Sequence, residues 1–338
     1  MHIGQLNSNR NAFASNKENI QPFVNLKKQK TDSQRIFGKD VQNTAQLSQP
    51  PEKMLIEDLT SARSVVTESI APRENPQHVL PFQASILLFL KTREPEYAVD
   101  PSYLARQPDI NARMRGILID WLVDVNIKFK LLPQTLFMTI NVLDRFLSKE
   151  IVTRNILQLV GVAALMLVSK YEEIYPPLIK EYMAVCDNAY TKQEILDMEA
   201  RIIIALEFNL THTSSFTFLQ QLQLQMNIEP KAFAFARYIL ENALFDTFAL
   251  KYCNLLLAAG ALFLVNKIFK AQNWKASFAQ ATSIDEASAK ACAKDLYAII
   301  QKMDASSLTA LKRKFAASEF FEVSKYRIER IQNGNQNN

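Results

Sequence analysis

Residues 114–125 read MRGILIDWLVDV, and this stretch decides the fold. Its apolar side chains extend nearly all the way around a helix. Such a helix either lies at the centre of a helical bundle or keeps one apolar face for a partner. The stretch by itself leaves both interpretations open.

The chain on both sides of this stretch has the spacing of amphipathic helices. Phe82, Ile86, Phe89 and Leu90 follow one another at i, i+4, i+7 and i+8, which predicts a helix before the stretch. From Ile110 onward, similar patterns are separated by Pro, Asn and Asp. No sustained alternation of apolar and polar residues is present, so we expect no strands. The sequence therefore predicts an all-α fold.

Local chemistry marks two helix boundaries. Thr191 and Glu194 form a capping box, which predicts that a helix carrying Ile195 to Leu206 begins there. The segment 175–177 reads YPP and must interrupt a helix, because proline lacks the amide donor and clashes with the preceding turn.

A weak internal repeat indicates two domains. Residues 163–170, AALMLVSK, resemble residues 260–267, GALFLVNK. Both resemble the small-residue-rich central helix of a bundle, although two unrelated buried helices would share this composition. A duplication predicts helical domains at 111–209 and 210–330, the second with a C-terminal extension.

The N-terminal part of the chain differs in composition from the rest. Residues 1–78 contain no Trp, Tyr or Cys, and the first fifty residues contain 14 Asn plus Gln. So few apolar side chains cannot offset the entropy of ordering the chain. We expect a disordered regulatory tail at 1–78, followed by an N-terminal helix and linker at 79–110.

Bulk properties exclude several classes of function. The 338 residues are 48% hydrophobic and 22% charged, ordinary for globular domains, and the net charge of +5 gives no special attraction to nucleic acid. Cys186, Cys253 and Cys292 lie far apart, so we expect a reducing compartment and no disulfide framework. The apolar run 255–265 is too short to span a membrane. We expect no cofactor. We also expect no histidine metal site, because the histidines are equally scattered: His2, His78 and His212.

Two charged residues occupy apolar helix faces. Lys170 shares a stripe with Leu159, Ala163 and Met166, and Glu199 lies among apolar residues at Ile195, Met198, Ile202 and Leu206. A charge on an apolar face is costly unless it is paired. We therefore predict that Lys170 and Glu199 meet across two packed helices. The residues alone favour a purely structural ion pair.

The order of several long motifs resembles the cyclin family. The resemblance is nearly continuous from about Tyr103 to Leu210 and weaker from there to about Lys325. It is carried by MRGILIDWLVDV at 114–125, NVLDRFL at 141–147, LQLVG at 157–161, SKYEEIYPP at 169–177, YTK at 190–192, and Met198-Glu199. RQPDI at 106–110 is similar to A-type mitotic cyclins, whereas MRGILIDWLVDV and SKYEEIYPP are similar to B-type ones.

The resemblance implies both a fold and a function. The fold is two tandem five-helix cyclin-box domains behind an N-terminal helix. The function is that of a non-catalytic subunit that binds and activates a cyclin-dependent kinase in the nucleus and cytoplasm, at G2/M or in S phase. In the family, residues matching Lys170 and Glu199 bond to the kinase near its regulatory helix. The same comparison assigns further kinase contacts to Leu167, Tyr171, Glu172, Ile203, Phe208 and Leu210, and to Ile86 and Phe89 on the N-terminal helix.

The resemblance also implies a docking patch for substrates or inhibitors that carry an Arg-x-Leu motif. Met114, Leu118 and Trp121 share one helix face through their i, i+4, i+7 spacing. In the family, the matching residues form a shallow exposed patch, with Leu157 and Gln158 at the far side and with Asp124 and Arg154 at the charged rim. Asp124 replaces the Glu common in A-type cyclins, which shortens its reach. The alternative is that the apolar residues are simply core.

The tail contains candidate degradation and import signals. Lys17-Glu18-Asn19 is a KEN box, the degron read by the anaphase-promoting ubiquitin ligase. RIFGKDVQN at 35–43 resembles a destruction box with Gly38 where Leu is expected, and KKQK at 27–30 resembles an import signal. The alternative for the first two is chance polar sequence, and the alternative for the basic cluster is solvated surface charge.

Three other functions are open to the residues. A cyclin-fold transcription factor would carry a basic face and often a zinc ribbon, and no CxxC occurs here. An enzyme could use Glu172 and Glu173 as carboxylates, but no nucleophile or phosphate loop accompanies them. A helical scaffold without a kinase partner is the third alternative.

Overall fold

The computed structural model describes residues 82–226, 228–269, 279 and 282–326, all of which fall within one compact unit, Asn75–Asn338. This part of the chain contains helices and turns but no strand. The α-helices are α1 (Gln83–Arg93), α2 (Ala112–Lys128), α3 (Pro133–Lys149), α4 (Leu157–Glu172), α5 (Ile179–Val185), α6 (Lys192–Ala205), α7 (Ser215–Met226), α8 (Pro230–Ala243), α9 (Asn254–Ile268), α10 (Glu286–Asp304) and α11 (Ala310–Phe315). The 3₁₀ turns are Glu94–Tyr97, Tyr103–Arg106, Arg154–Ile156, Thr247–Lys251, Ser318–Phe320 and Val323–Lys325.

These helices form two consecutive bundles, which confirms the predicted fold. Helices α2 to α6 build the first bundle, and α7 to α11 are the helices of the second that the structure describes. Helix α4 is central in the first bundle and packs on α2, α3 and α6. Helix α9 is central in the second and packs on α7, α8 and α10.

The two sequence repeats lie in these two central helices. Residues 163–170 belong to α4 and residues 260–267 to α9. Small residues let neighbouring helices approach closely at each centre. A methyl group added to Gly161 would lie 2.7 Å from a Leu118 methyl carbon of α2, and one added to Gly260 would lie 2.7 Å from Cys292 Sγ of α10.

The N-terminal helix α1 exists as predicted, but its buried face differs from the predicted one. Leu87 is the side chain that enters the core, with Leu90 packed beside it, whereas Phe82 and Phe89 are more than 60% exposed. The helix is fixed to the second bundle, because Lys91 Nζ donates to the Thr282 carbonyl at 3.0 Å. The apolar stripe of Phe82 and Phe89 is therefore free on the surface.

Arg115 forms a buried ion pair within the first bundle and also contacts the second bundle. The Arg115 guanidinium donates to both carboxylate oxygens of Asp144 at 2.7 Å, and the Tyr103 hydroxyl donates to Asp144 at 2.6 Å. Arg115 also donates to the Leu244 carbonyl of the second bundle at 2.8 Å. Although burial alone would lower the pKa of Arg115, Asp144 and Tyr103 raise it above its usual value. No sequence pattern predicted a role for these residues.

Both predicted helix boundaries are confirmed. The Thr191 hydroxyl accepts the Glu194 amide at 3.2 Å, and the Glu194 carboxylate accepts the Thr191 amide at 2.8 Å. The YPP segment at 175–177 lies between the end of α4 and the start of α5. Pairing of cap and helix in this way satisfies amides that have no partner within the helix.

Candidate partner-binding surface

Lys170 and Glu199 form an ion pair between α4 and α6, as predicted. Lys170 occupies the last turn of α4, where a cation interacts favourably with the helix dipole. Its side chain is 47% exposed and that of Glu199 is 13% exposed. The pair therefore closes an apolar helix–helix contact at the surface, where an outside protein can reach it.

Exposed apolar side chains lie along the same two helices. Tyr171 is 52% exposed and its hydroxyl lies 2.7 Å from the Thr211 hydroxyl, so it sits beside the segment that follows α6. Phe208 in that segment is 71% exposed, and Ile203 is partly buried one turn after Glu199. Large apolar groups left in water around an ion pair are typical of a surface that binds another protein.

Two of the predicted contact residues belong to the core instead. Leu167 and Leu210 are buried, with 7% and 6% of their surface exposed. Both pack in the core of the first bundle, Leu167 on the central helix α4 and Leu210 in the segment after α6. Their predicted place on the contact surface is therefore corrected: they support it from below.

The N-terminal helix supplies a second exposed apolar stripe. Phe89 is 61% exposed and Ile86 is partly buried, so both predicted contact residues are reachable. Leu88, which the sequence analysis did not single out, is 65% exposed. Residues 86–90 are all apolar, so the sequence alone does not indicate which of their side chains face solvent.

The sequence analysis also missed the exposed segment between α4 and α5. Its large side chains are among the most exposed of the described residues: Ile174 at 86%, Tyr175 at 92% and Leu178 at 59%. The signal was present, because prolines hold this segment outside both helices. It continues the surface from the C-terminal end of α4.

The neighbouring acids Glu172 and Glu173 have different environments. The Glu173 carboxylate accepts the Leu132 amide at 2.8 Å and the Thr135 hydroxyl, and so caps the N-terminus of α3. Glu172 has no such role and is partly buried. Burial, and secondarily the charge of Glu173, raise the pKa of Glu172.

The predicted docking patch is mostly buried, which corrects the expectation of an exposed patch. Leu118, Trp121 and Leu157 are between 6% and 9% exposed and belong to the core of the first bundle. Leu118 lies against Gly161, where α2 and α4 approach closely. Met114 and Gln158 are partly exposed and form the reachable part.

Both charged residues of the predicted rim are engaged within the chain. Arg313 of α11 donates to the two carboxylate oxygens of Asp124 at 2.6 and 2.7 Å. Arg154 donates to Asp109 at 2.6 Å. A ligand that recognises either rim residue has an internal competitor.

The described residues contain neither a metal-binding cluster nor a membrane-spanning helix. Within the described ranges, no group of three or more His, Cys, Asp or Glu side chains could hold a metal ion. Among the same residues, none of the helices combines the length and the apolar character that crossing a bilayer requires.

Burial, and then the charge of Arg145, lower the pKa of His212 to about 3, so this imidazole is neutral.

The tail motifs lie outside the described residues. This applies to Lys17-Glu18-Asn19, to the segment at 27–30 and to the segment at 35–43. Their predicted roles stay predictions.

Comparison with protein families assigns both bundles. The profile described as Cyclin, N-terminal domain, matches residues 85–211, and the profile described as Cyclin, C-terminal domain, matches residues 213–329. A viral cyclin from Herpesvirus saimiri has the same fold, with a TM-score of 0.59 and 21% identity over 67% of this chain and 99% of that chain.

Curated relatives are similar over most of this chain. Cyclin-B2-1 of Arabidopsis thaliana is 31% identical over 82% of this chain and 65% of its own length. G2/mitotic-specific cyclin-B of Spisula solidissima is 34% identical over 75% of this chain and 59% of its own length. The chain therefore spans less than two thirds of these two relatives.

Proposed function

The chain belongs to the cyclin family, and on this premise we propose that it is the regulatory subunit of a cyclin-dependent serine/threonine kinase that controls cell-cycle progression. The subunit is non-catalytic and forms a heterodimer with the kinase. Relatives named G2/mitotic-specific cyclin-B support a role at G2/M.

The accessible pair of Lys170 and Glu199 is the observation that carries this proposal. It lies beside Tyr171 and Phe208, which are exposed although they are large and apolar. A kinase helix placed there would remove these side chains from water. Burial of apolar surface stabilises a complex by about 25 cal/mol per Å². It would also find a cation and a carboxylate at fixed positions.

The proposed mechanism is a shift of population. A kinase transfers phosphate only when its Lys–Glu pair, its metal-binding Asp and its activation loop are in place. A cyclin bound to the regulatory helix stabilises the arrangement in which that Glu points inward. The size of the activation follows from the difference in affinity for active and inactive kinase. No group of the cyclin needs to contact ATP.

Phosphate transfer in a purified system tests the proposal. The chain is added to a monomeric cyclin-dependent kinase, and phosphorylation of a substrate protein is measured. We expect strong stimulation by the chain and no transfer by the chain alone. Transfer by the chain alone would support the enzyme alternative. A gel shift with DNA and no effect on the kinase would support the transcription-factor alternative. If the chain neither stimulates the kinase, nor transfers phosphate, nor shifts DNA, the scaffold alternative is favoured.

We further propose that the face around Met114 and Gln158 binds substrates or inhibitors with an Arg-x-Leu motif. Support comes from the partial exposure of both side chains above the core residues Leu118 and Trp121. Trp121→Ala would disturb the core, so the test uses Met114→Ala with Gln158→Ala. Equal binding of an Arg-x-Leu peptide by this variant and by the unaltered chain would remove the docking claim.

We also propose that Lys17-Glu18-Asn19 is a degron for the anaphase-promoting ubiquitin ligase. Its support is the motif itself in a stretch poor in apolar residues. After a cycloheximide block during mitotic exit, changing all three residues to Ala should lengthen the half-life. An unchanged half-life would count against the motif.

Localisation to nucleus and cytoplasm is proposed from the family. The basic cluster at 27–30 is the candidate import signal. Imaging of a fluorescent fusion in which the three lysines of this cluster are changed to Ala should show a lower nuclear fraction than the unaltered fusion.

A further inference from the structure

We propose that Arg313 determines which docking peptides this chain accepts, by occupying the Asp124 carboxylate that the arginine of a peptide would need. The inference rests on the docking face proposed above and concerns its selectivity. Its starting point is a contact between the bundles: Arg313 belongs to α11 of the second bundle and Asp124 to α2 of the first.

Arg313 reaches Asp124 through a single guanidinium nitrogen that contacts both carboxylate oxygens. Arg313 Nη2 lies 2.6 and 2.7 Å from the two oxygens of Asp124. The two side chains are 57% and 47% exposed. An incoming guanidinium can therefore reach the same carboxylate, but it has to displace Arg313 first.

Neighbouring contacts hold Arg313 in this position. Gly116, Asp120 and Asp124 are spaced i, i+4, i+8 and form one stripe of α2. Leu308 packs over Gly116, and Asp120 accepts the Ala310 amide at 2.9 Å, which fixes the N-terminus of α11 on this stripe. Because the helix is anchored at its start, Arg313 reaches Asp124 with little further loss of freedom.

The Asp124 end of the stripe that α11 covers adjoins the face of Met114, Leu118 and Trp121, because Asp124 follows Trp121 by three residues on the same helix. The second rim charge, Arg154, is engaged as well, because it donates to Asp109. A peptide arginine at this site gains only the difference between two similar guanidinium–carboxylate pairs. Binding should therefore depend on the apolar residue of the peptide and very little on its arginine.

The test compares two peptides that differ only in the arginine, Arg-x-Leu and Ala-x-Leu, by fluorescence anisotropy with the full chain. The unaltered chain should bind both within about a factor of two, since Arg313 already occupies the Asp124 carboxylate and has to be displaced by the peptide arginine. Arg313→Gln should prefer the arginine peptide by about three- to five-fold, the range that an exposed ion pair supports. Lys312→Gln is the matched control, because Lys312 pairs with Asp304 and not with α2.

A second substitution connects the effect to Asp124. Adding Asp124→Asn to Arg313→Gln should abolish the new preference for arginine. An equal preference in the unaltered chain and in Arg313→Gln would overturn the inference and leave the docking face in place. Failure of both peptides to bind either form would overturn both. Kinase stimulation by the same samples shows separately whether the proposed activator role stands and whether the variants are folded.

Discussion

Arg115 carries a full charge into the protein interior and depends on Asp144 for compensation. Both side chains are 2% exposed, and Asp144 accepts two hydrogen bonds from Arg115. Removing one partner of a buried pair leaves an unpaired charge, whereas an exposed pair is worth little. The buried Arg115–Asp144 pair should therefore affect stability much more than the exposed Arg313–Asp124 pair does.

Asp144→Asn should lower the free energy of unfolding by about 3–5 kcal/mol, the usual result of breaking a buried ion pair. Urea unfolding followed by circular dichroism measures the change. Asp124→Asn is the matched control, because it breaks an exposed Arg–Asp pair and should change stability by at most about 1 kcal/mol. Similar losses in the two variants would contradict the account.

His212 predicts a pH dependence of stability. Burial and the charge of Arg145 lower the pKa of His212 from 6.5 to about 3. Between these two pH values, His212 is protonated in the unfolded chain but neutral in the folded chain. Stability from this group is present above pH 6.5 and is lost as the pH falls towards 3. Between pH 7 and pH 5 the loss should reach about 2 kcal/mol.

His212→Gln should reduce this loss, because glutamine does not titrate. Urea unfolding at several pH values in this range measures the slope for both proteins. Carboxylates titrate in both, so the difference between the two slopes isolates His212. Parallel slopes would show that His212 can be protonated in the folded chain.

At the scale of single elements, helix α3 is capped from a distant part of the chain. Its N-cap residue, Leu132, has no side chain that could accept a hydrogen bond, and Glu173 accepts the Leu132 amide and the Thr135 hydroxyl at this end of the helix. The cap joins the start of α3 to the exposed segment that begins with Ile174. It therefore positions part of the candidate partner-binding surface.

Glu173→Ala should lower the free energy of unfolding by about 1–2 kcal/mol, as loss of a helix cap does. Glu172→Ala is a matched control one residue away. It should not destabilise the protein, because burial disfavours the ionised form of Glu172. Melting temperatures of the two variants give the comparison, and an equal decrease would contradict the assigned cap.

Sequence patterns predicted the boundaries of elements better than their orientation. The capping box at Thr191 and the prolines at 176 and 177 act locally, so they could be identified without the fold. The buried side of α1 could not, because residues 86–90 are all apolar and offer several stripes. Contact with the second bundle selects Leu87.

At the scale of the whole molecule, two tandem bundles were predictable from a duplicated central helix. The interface between them was not. It depends on Arg115 reaching a carbonyl 129 residues away and on α11 returning to α2, and no local pattern records such contacts. The burial of Leu118 and Trp121 within the first bundle was not predictable either, since a helix with apolar residues nearly all round does not reveal which side faces solvent.

The predicted meeting of Lys170 and Glu199 was accessible to sequence reasoning for a physical reason. Each charge stood on an otherwise apolar stripe, and partners of opposite sign are what make such positions tolerable. The exposure of the pair could not be inferred, because it depends on how the end of α4 emerges from the bundle. That exposure is what turns a structural pair into a candidate binding site.

The affinity of the full chain for a cyclin-dependent kinase tests the central claim most directly. The dissociation constant should rise at least about tenfold, or 1.4 kcal/mol, in the double variant Lys170→Ala/Glu199→Ala. The dissociation constant should stay unchanged in the control variant Arg201→Ala. Arg201 lies on the same helix as Glu199, and its substitution breaks a different ion pair, the one with Glu150. Unaltered affinity in a folded double variant would contradict the claim that this pair binds the kinase.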